Sequence, residues 1–178
     1  HNANRIAVFN PSTETLVEYT VPSRNPNWAD CEGIDYCGLA QVFGFAIHGK
    51  KIWFTEWVEN NIGVVDTSIL LPFTVDINTE NVLLEKGQTI EVLLQAKSTI
   101  ISDYWHDETL LNISTTSPFT DLVITSEYTE IGSFNDVTES IPIQITASDS
   151  ALPGTYKVLL GVLNNEIAVS EFITVTIV

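Results

Sequence analysis

The densest group of chemically able side chains is Asp103-Tyr-Trp-His106-Asp107-Glu108, with three acids, a histidine and two aromatics in six consecutive residues. Carboxylates are the oxygen ligands that calcium and magnesium prefer, and an imidazole adds affinity for a transition metal. The run lacks the Asp-x-Asp-x-Asp-Gly spacing of a calcium loop, so a polar loop with an aromatic anchor is the competing reading. A second acidic group, Asp30, Glu32 and Asp35, surrounds Cys31 and Cys37. Five residues separate the cysteines, Gly33 among them, and that spacing can close a small disulfide loop. Free thiols and a metal thiolate are the alternatives, although one pair with no neighbouring His-x-x-x-His is too few for a zinc site. A disulfide implies an oxidising compartment. The sequon Asn112-Ile-Ser114 fits the same compartment as a glycosylation acceptor. His1, as a native N-terminus, could bind copper through its amine and imidazole together with a second histidine. A remnant of a tag or cleavage site is the plainer reading of it. His48, beside Gly49, reads as a solvated turn residue. No Gly-x-Ser-x-Gly, His-Glu-x-x-His or phosphate-cradling glycine loop occurs.

These groups must be positioned by strands, because no apolar stripe of helical period runs for three turns. Alternating or β-branched runs recur instead, at 5–9, 15–21, 42–48, 51–57 and 62–66. Gly, Pro, Asn and Asp separate them. Seven more follow at 73–78, 89–96, 109–114, 122–126, 140–147, 155–163 and 167–177, the spacing of a β-sandwich. Pro142 cannot donate to a ladder, so it is expected at a strand start or on an edge.

Charge excludes some partners. The 178 residues carry 23 acids and 7 bases, a net of −16. A nucleic-acid binder needs a basic footprint, and anionic lipid would repel this chain. No apolar run reaches the ~18 residues of a membrane-spanning helix. The chain lacks Met even at position 1, which reads as a processed product or a fragment. A boundary is expected near residue 71: residues 1–70 hold 8 acids and 4 bases (net −4), and 71–178 hold 15 and 3 (net −12). Three of the four Trp and both Cys precede it.

Within the first region, Asn4-Arg-Ile-Ala-Val-Phe-Asn10 is echoed by Asn60-Asn-Ile-Gly-Val-Val-Asp66. Lys51-Ile-Trp-Phe-Thr-Glu-Trp-Val-Glu-Asn-Asn-Ile-Gly-Val-Val-Asp66 resembles the blade signature of the virginiamycin B lyase (streptogramin lyase) family of β-propellers. Leu16-Val-Glu-Tyr-Thr-Val-Pro22 is similar to the outer strand of that repeat. The resemblance covers residues 4–72, one blade and part of another, whereas a closed propeller needs at least four. It implies a blade buried on both faces, with Trp53, Trp57, Trp28, Phe43, Phe45 and Phe54 in its core rather than on a sugar-stacking platform. Trp53, Thr55 and Trp57 share one side of their strand, and Phe54 and Glu56 the other. In the family, a Glu from the Trp-Phe-Thr-Glu strand and histidines from other blades hold a metal. Glu56 matches the Glu, but Phe43 stands where a histidine belongs.

In the second region, Leu152-Pro-Gly-Thr-Tyr156 and Glu85-Lys-Gly-Gln-Thr-Ile-Glu-Val92 resemble bacterial and archaeal immunoglobulin-like surface modules. The expected architecture is therefore all-β, with a propeller-blade-like unit over residues 1–70 followed by an Ig-like β-sandwich over 71–178. The expected role is extracellular or cell-surface, non-catalytic and interactive. Strand edges at 5–9 and 42–48 would be covered by another polypeptide or a second copy. Two enzymatic alternatives stand beside it: a lyase-like propeller completed by another polypeptide with Glu56 at a magnesium site, and an N-terminal-histidine copper protein. Apart from that copper alternative, a divalent cation, Ca or Mg, is the cofactor these residues could hold.

Overall fold

Alternating apolar residues become paired strands wherever a neighbouring edge takes up their N–H and C=O groups. The structure, a computed structural model, describes residues 4–23, 42–57, 60–99, 111–116, 119–131 and 138–178. Every regular element among them is a strand: β1 (Arg5–Asn10), β2 (Thr15–Thr20), β3 (Val42–His48), β4 (Lys51–Glu56), β5 (Asn61–Asp66), β6 (Phe73–Ile77), β7 (Asn81–Leu84), β8 (Thr89–Ser98), β9 (Leu111–Thr116), β10 (Leu122–Ser126), β11 (Glu130–Ile131), β12 (Thr138–Ala147), β13 (Gly154–Leu163) and β14 (Ile167–Ile177). They fall into two compact units. Phe9–Val17, Leu71–Asn164 and Ala168–Val178 form one; the other takes the chain up to Val8, from Glu18 to Leu70, and Asn165–Ile167.

The larger unit is a sandwich. One sheet runs β10-β12-β8-β6, all antiparallel. The other runs β14-β13-β9-β11, with β7 parallel to the outer edge of β14. The period of two decides what is buried. Ile141, Ile143, Ile145 and Ala147 of β12 are inside, as are Val92, Leu94 and Ala96 of β8 and Val158, Leu160 and Val162 of β13. The order β6-β8-β12-β10 against β14-β13-β9 is the ABED and GFC division of an immunoglobulin-like fold. A tyrosine corner supports it: Tyr156, near the start of β13, donates its hydroxyl to the carbonyl of Leu152 at 2.6 Å.

Pro142 is not at an edge. It sits in β12, flanked by β8 and β10, opposite Leu93. Its carbonyl points towards β10, accepting the Ser126 hydroxyl at 3.4 Å. Its missing N–H therefore faces the same side, and there the β10 ladder has already ended at Ser126–Ile143. No bond is lost, so the ring is tolerated.

The smaller unit is built on an antiparallel meander, β3-β4-β5, turning at Gly49-Lys50. Its core is Ile6, Val21, Val42 and Phe54, with Tyr19, Ile52 and Val65 packed around it. Asn4 precedes β1 in a left-handed conformation (φ 53°), and Asn60 precedes β5 in the same one (φ 55°). The sequence echo is thus also an echo of backbone, at residues whose short polar side chain tolerates it. Asn4 is buried, and its amide donates to the carbonyls of Val21 and Ser23, both at 3.0 Å.

The described residues do not form the propeller blade that the resemblance implies. The blade-like residues form a three-stranded sheet, while β1 and β2 pair with each other and continue the larger sheet along β14. Phe172 N–H donates to the carbonyl of Glu14 at 3.0 Å, and Thr20 N–H to that of Glu166 at 2.8 Å. The resemblance is a local code of strand and turn. Radial closure needs neighbouring blades, and the free edge of β14 gives β2 a partner without them.

Candidate interaction surface

The cross-strand pairs of the meander decide which side chains share a face. Trp53 stands opposite Ala46 and Val64, and Thr55 opposite Ile62. Phe54 stands opposite Phe45 and Gly63, on the other side. The Phe54 side packs inward. Gly63 makes this possible: a Cβ there would lie 2.2 Å from Phe54 Cζ and 2.8 Å from Glu56 Oε1. Glycine is what lets the ring and the carboxyl lie across β5.

The Trp53 side is open. Trp53 is 42% exposed, Val64 47% and Ile62 71%; beyond the end of β4, Trp57 is 69% exposed and Phe43 52%. The Phe43 and Trp57 rings meet edge to face, with centroids 6.0 Å apart. Phe45 and Ile47, on the Phe54 side of the edge strand β3, are exposed as well, so the inward packing of that side is confined to its Phe54 and Glu56 part. The core role expected for these aromatics holds for Phe54 alone among the described ones. Lys51 and Asp66 pair at 3.9 Å across the far end of the sheet. Asp66 accepts the Ser68 hydroxyl at 2.5 Å and its N–H at 3.0 Å, which holds its carboxyl below the usual range.

Glu56, the candidate metal ligand, is 5% exposed on the inward side, and its Oε2 has no hydrogen-bond partner. The described residues around it do not by themselves make the metal site that the lyase resemblance implies, in which histidines come from other blades. His48, the one histidine among the described residues, lies at the other end of the hairpin, five residues away along β4 and six along β3, roughly 17–20 Å at ~3.4 Å per residue. Among the described residues no three of His, Cys, Asp and Glu gather to hold a metal. The unpartnered oxygen of Glu56 also bears on stability. A buried oxygen without a partner costs about 1–3 kcal/mol. Replacing Glu56 with Met, of similar length, is expected to raise the midpoint of urea denaturation by a comparable margin.

The other expected site residues lie elsewhere. Cys31 and Cys37, the acids Asp30, Glu32 and Asp35, Trp28, His1, and the Asp103, His106, Asp107 and Glu108 group are outside the described residues. Asn112 is on β9, opposite Leu163 of β13 and Glu130 of β11. His48 is exposed at its turn, as expected.

One polar cleft was not anticipated. Glu14, Glu80, Lys157 and Glu171 line a hollow of about 250 Å³ on the sandwich. Lys157 bonds to Glu14. Glu171 accepts the N–H of Ile77 at 3.1 Å. Burial foremost, then Asp76, with smaller contributions from Glu80 and Glu14, pushes its carboxyl above the usual range; the Ile77 bond pulls the other way. A raised native pKa means the ionised form is disfavoured in the fold. That contribution to stability is complete below the ordinary glutamate range of ~4.3 and is lost as pH rises through the native value. Glu171→Gln, which still accepts from Ile77, is expected to raise the melting temperature at pH 7 and to change nothing below pH ~4. Melting curves across that range check it.

No family model matches the chain, and no curated protein does. Among solved structures it is similar to domains 4 and 5 of the S-layer protein SbsC, at TM-score 0.43 and 13% identity over 94% of this chain and 78% of that one. A conjugative transposon lipoprotein from Bacteroides eggerthii matches at TM-score 0.39 and 17% identity, over 57% of this chain and 96% of that one. The BIgI domain of the beta protein from S. agalactiae, bound to CEACAM1, matches at 0.35 and 15%, over 59% and 95%. The fold assignment rests on this chain's own strand order and register: an all-β chain carrying an immunoglobulin-like sandwich.

Proposed function

We propose that this chain is a non-catalytic interaction module of the cell surface or extracellular space. One observation carries the reading: a contiguous apolar face of Phe43, Trp53, Trp57, Ile62 and Val64 left in solvent on one side of β3-β4-β5. Three aromatics at these exposures contribute roughly 300–350 Å² of apolar surface. With Ile62 and Val64 the patch reaches roughly 500 Å², near the upper end for an ordinary monomer, where such patches mark contact sites. β1 and β3 are terminal in their sheets, and an unpaired strand edge invites a partner strand. The sandwich serves as the rigid carrier.

The test is a photo-crosslinking side chain at position 62 in the cells that make the protein, with position 125 on β10 as control. Adducts to polypeptide from 62 and not from 125 are expected, on protein that protease added to intact cells can reach. No adduct from 62 would contradict the reading.

A further inference from the structure

We propose that the partner of the β3-β4-β5 face is the same face of a second copy of this chain, the two stacked face to face about a two-fold axis. The inference rests on the interaction reading above and names its partner. Two observations select a second copy. The first is charge. Residues 42–70 carry Lys50 and Lys51 against Glu56, Glu59 and Asp66, a net of −1, so the remaining residues carry −15 of the total −16. The like charge that makes two copies repel is therefore carried almost wholly outside this sheet. A basic partner would be drawn to the acidic remainder of the chain, not to its one nearly neutral, apolar sheet.

The second is area. A two-fold pairing buries the patch on both copies, roughly 1,000 Å² of apolar surface, with the rim in addition. That is the lower limit of a specific interface, the size class of transient, reversible contacts. The face also suits self-pairing chemically. It has an apolar centre at Trp53, Ile62 and Val64, and its Lys51–Asp66 pair lies at the border, where water still reaches it.

The test is sedimentation equilibrium of the full chain from micromolar to millimolar concentration, in 50 mM and 500 mM NaCl. Salt shortens the reach of the like charges, whose screening length is ~10 Å at 0.1 M and ~3 Å at 1 M. The expected result is a monomer–dimer equilibrium that tightens with salt. Ile62→Lys is expected to weaken it at least tenfold, while Val123→Lys, an exposed apolar position on β10 outside the face, leaves it unchanged. Circular dichroism confirms that both variants are folded. A chain that stays monomeric throughout, a dimer indifferent to Ile62→Lys, or a dimer that loosens with salt would each overturn the proposal. A monomer whose position-62 crosslinker still captures a different polypeptide overturns self-pairing alone and leaves the interaction reading standing. A monomer that captures nothing removes both.

Discussion

Gly161→Ala is expected to cost more stability than any other single-methyl change in the sandwich. Gly161 lies within β13, opposite Ser170 of β14. An added Cβ would come within 2.3 Å of the Val169 carbonyl oxygen and of Ser170 Oγ, and 2.6 Å from the Ser170 Cα. Backbone atoms of a ladder cannot step aside as a side-chain tip can. Overpacking ordinarily costs about 1–3 kcal/mol, and a clash with main chain belongs at or above the top of that range. β14 also carries β7 and the β1–β2 hairpin along its other edge, so its displacement disturbs three pairings together. The expected fall in melting temperature is about 10 °C or more. Gly154→Ala is the internal control. Its Cβ would meet only the Tyr156 ring, at 3.6 Å, an ordinary contact.

Gly63→Ala is expected to break the core of the smaller unit. The new methyl would fall inside the ring of Phe54, 2.2 and 2.4 Å from two of its carbons. Phe54 must leave its place against Ile6, Val21 and Val42, and Glu56 must shift with it. The cost is about 1–3 kcal/mol, read by amide hydrogen exchange along β3, β4 and β5. A second change separates this cause from a general glycine effect. Phe54→Leu shortens the offending group, so the double variant is expected to be more stable than the sum of the two single losses allows. Strictly additive losses would show that Phe54 does not lie across Gly63.

The strands that were readable in the sequence were those whose environment is simple. Ile141, Ile143 and Ile145 alternate with Pro142 and Gln144, and only one face of β12 can be inside. Asn4 and Asn60 mark equivalent strand entries because left-handed backbone restricts the residue type. Two strands went unanticipated. β7 has four residues and β11 two, too short for any periodicity to register. Pro142 departs from the expected edge position because the rule concerns one missing N–H rather than the whole strand, and that position falls beyond the end of the β10 ladder.

The interaction surface was half legible. Alternation placed Trp53 and Thr55 on one side and Phe54 and Glu56 on the other, and the register agrees. Period alone does not say which side is covered, since Trp and Phe favour burial alike. The blade resemblance supplied an answer, burial on both sides, that holds only where neighbouring blades exist. A clue was present in β5. Its Ile62 and Val64 lie on the Trp53 side and its Gly63 on the Phe54 side, so the small residue sits where something large must pass.

Hydroxyl-radical footprinting of the dilute, monomeric chain, read by mass spectrometry at single residues, measures the orientation of this sheet. Phe43, Trp53, Trp57, Ile62 and Val64 are predicted to react rapidly, and Phe54 to react only after denaturation. A protected Trp53 beside a reactive Phe54 would mean the sheet presents its opposite side to water, and the aromatic contact surface would not exist.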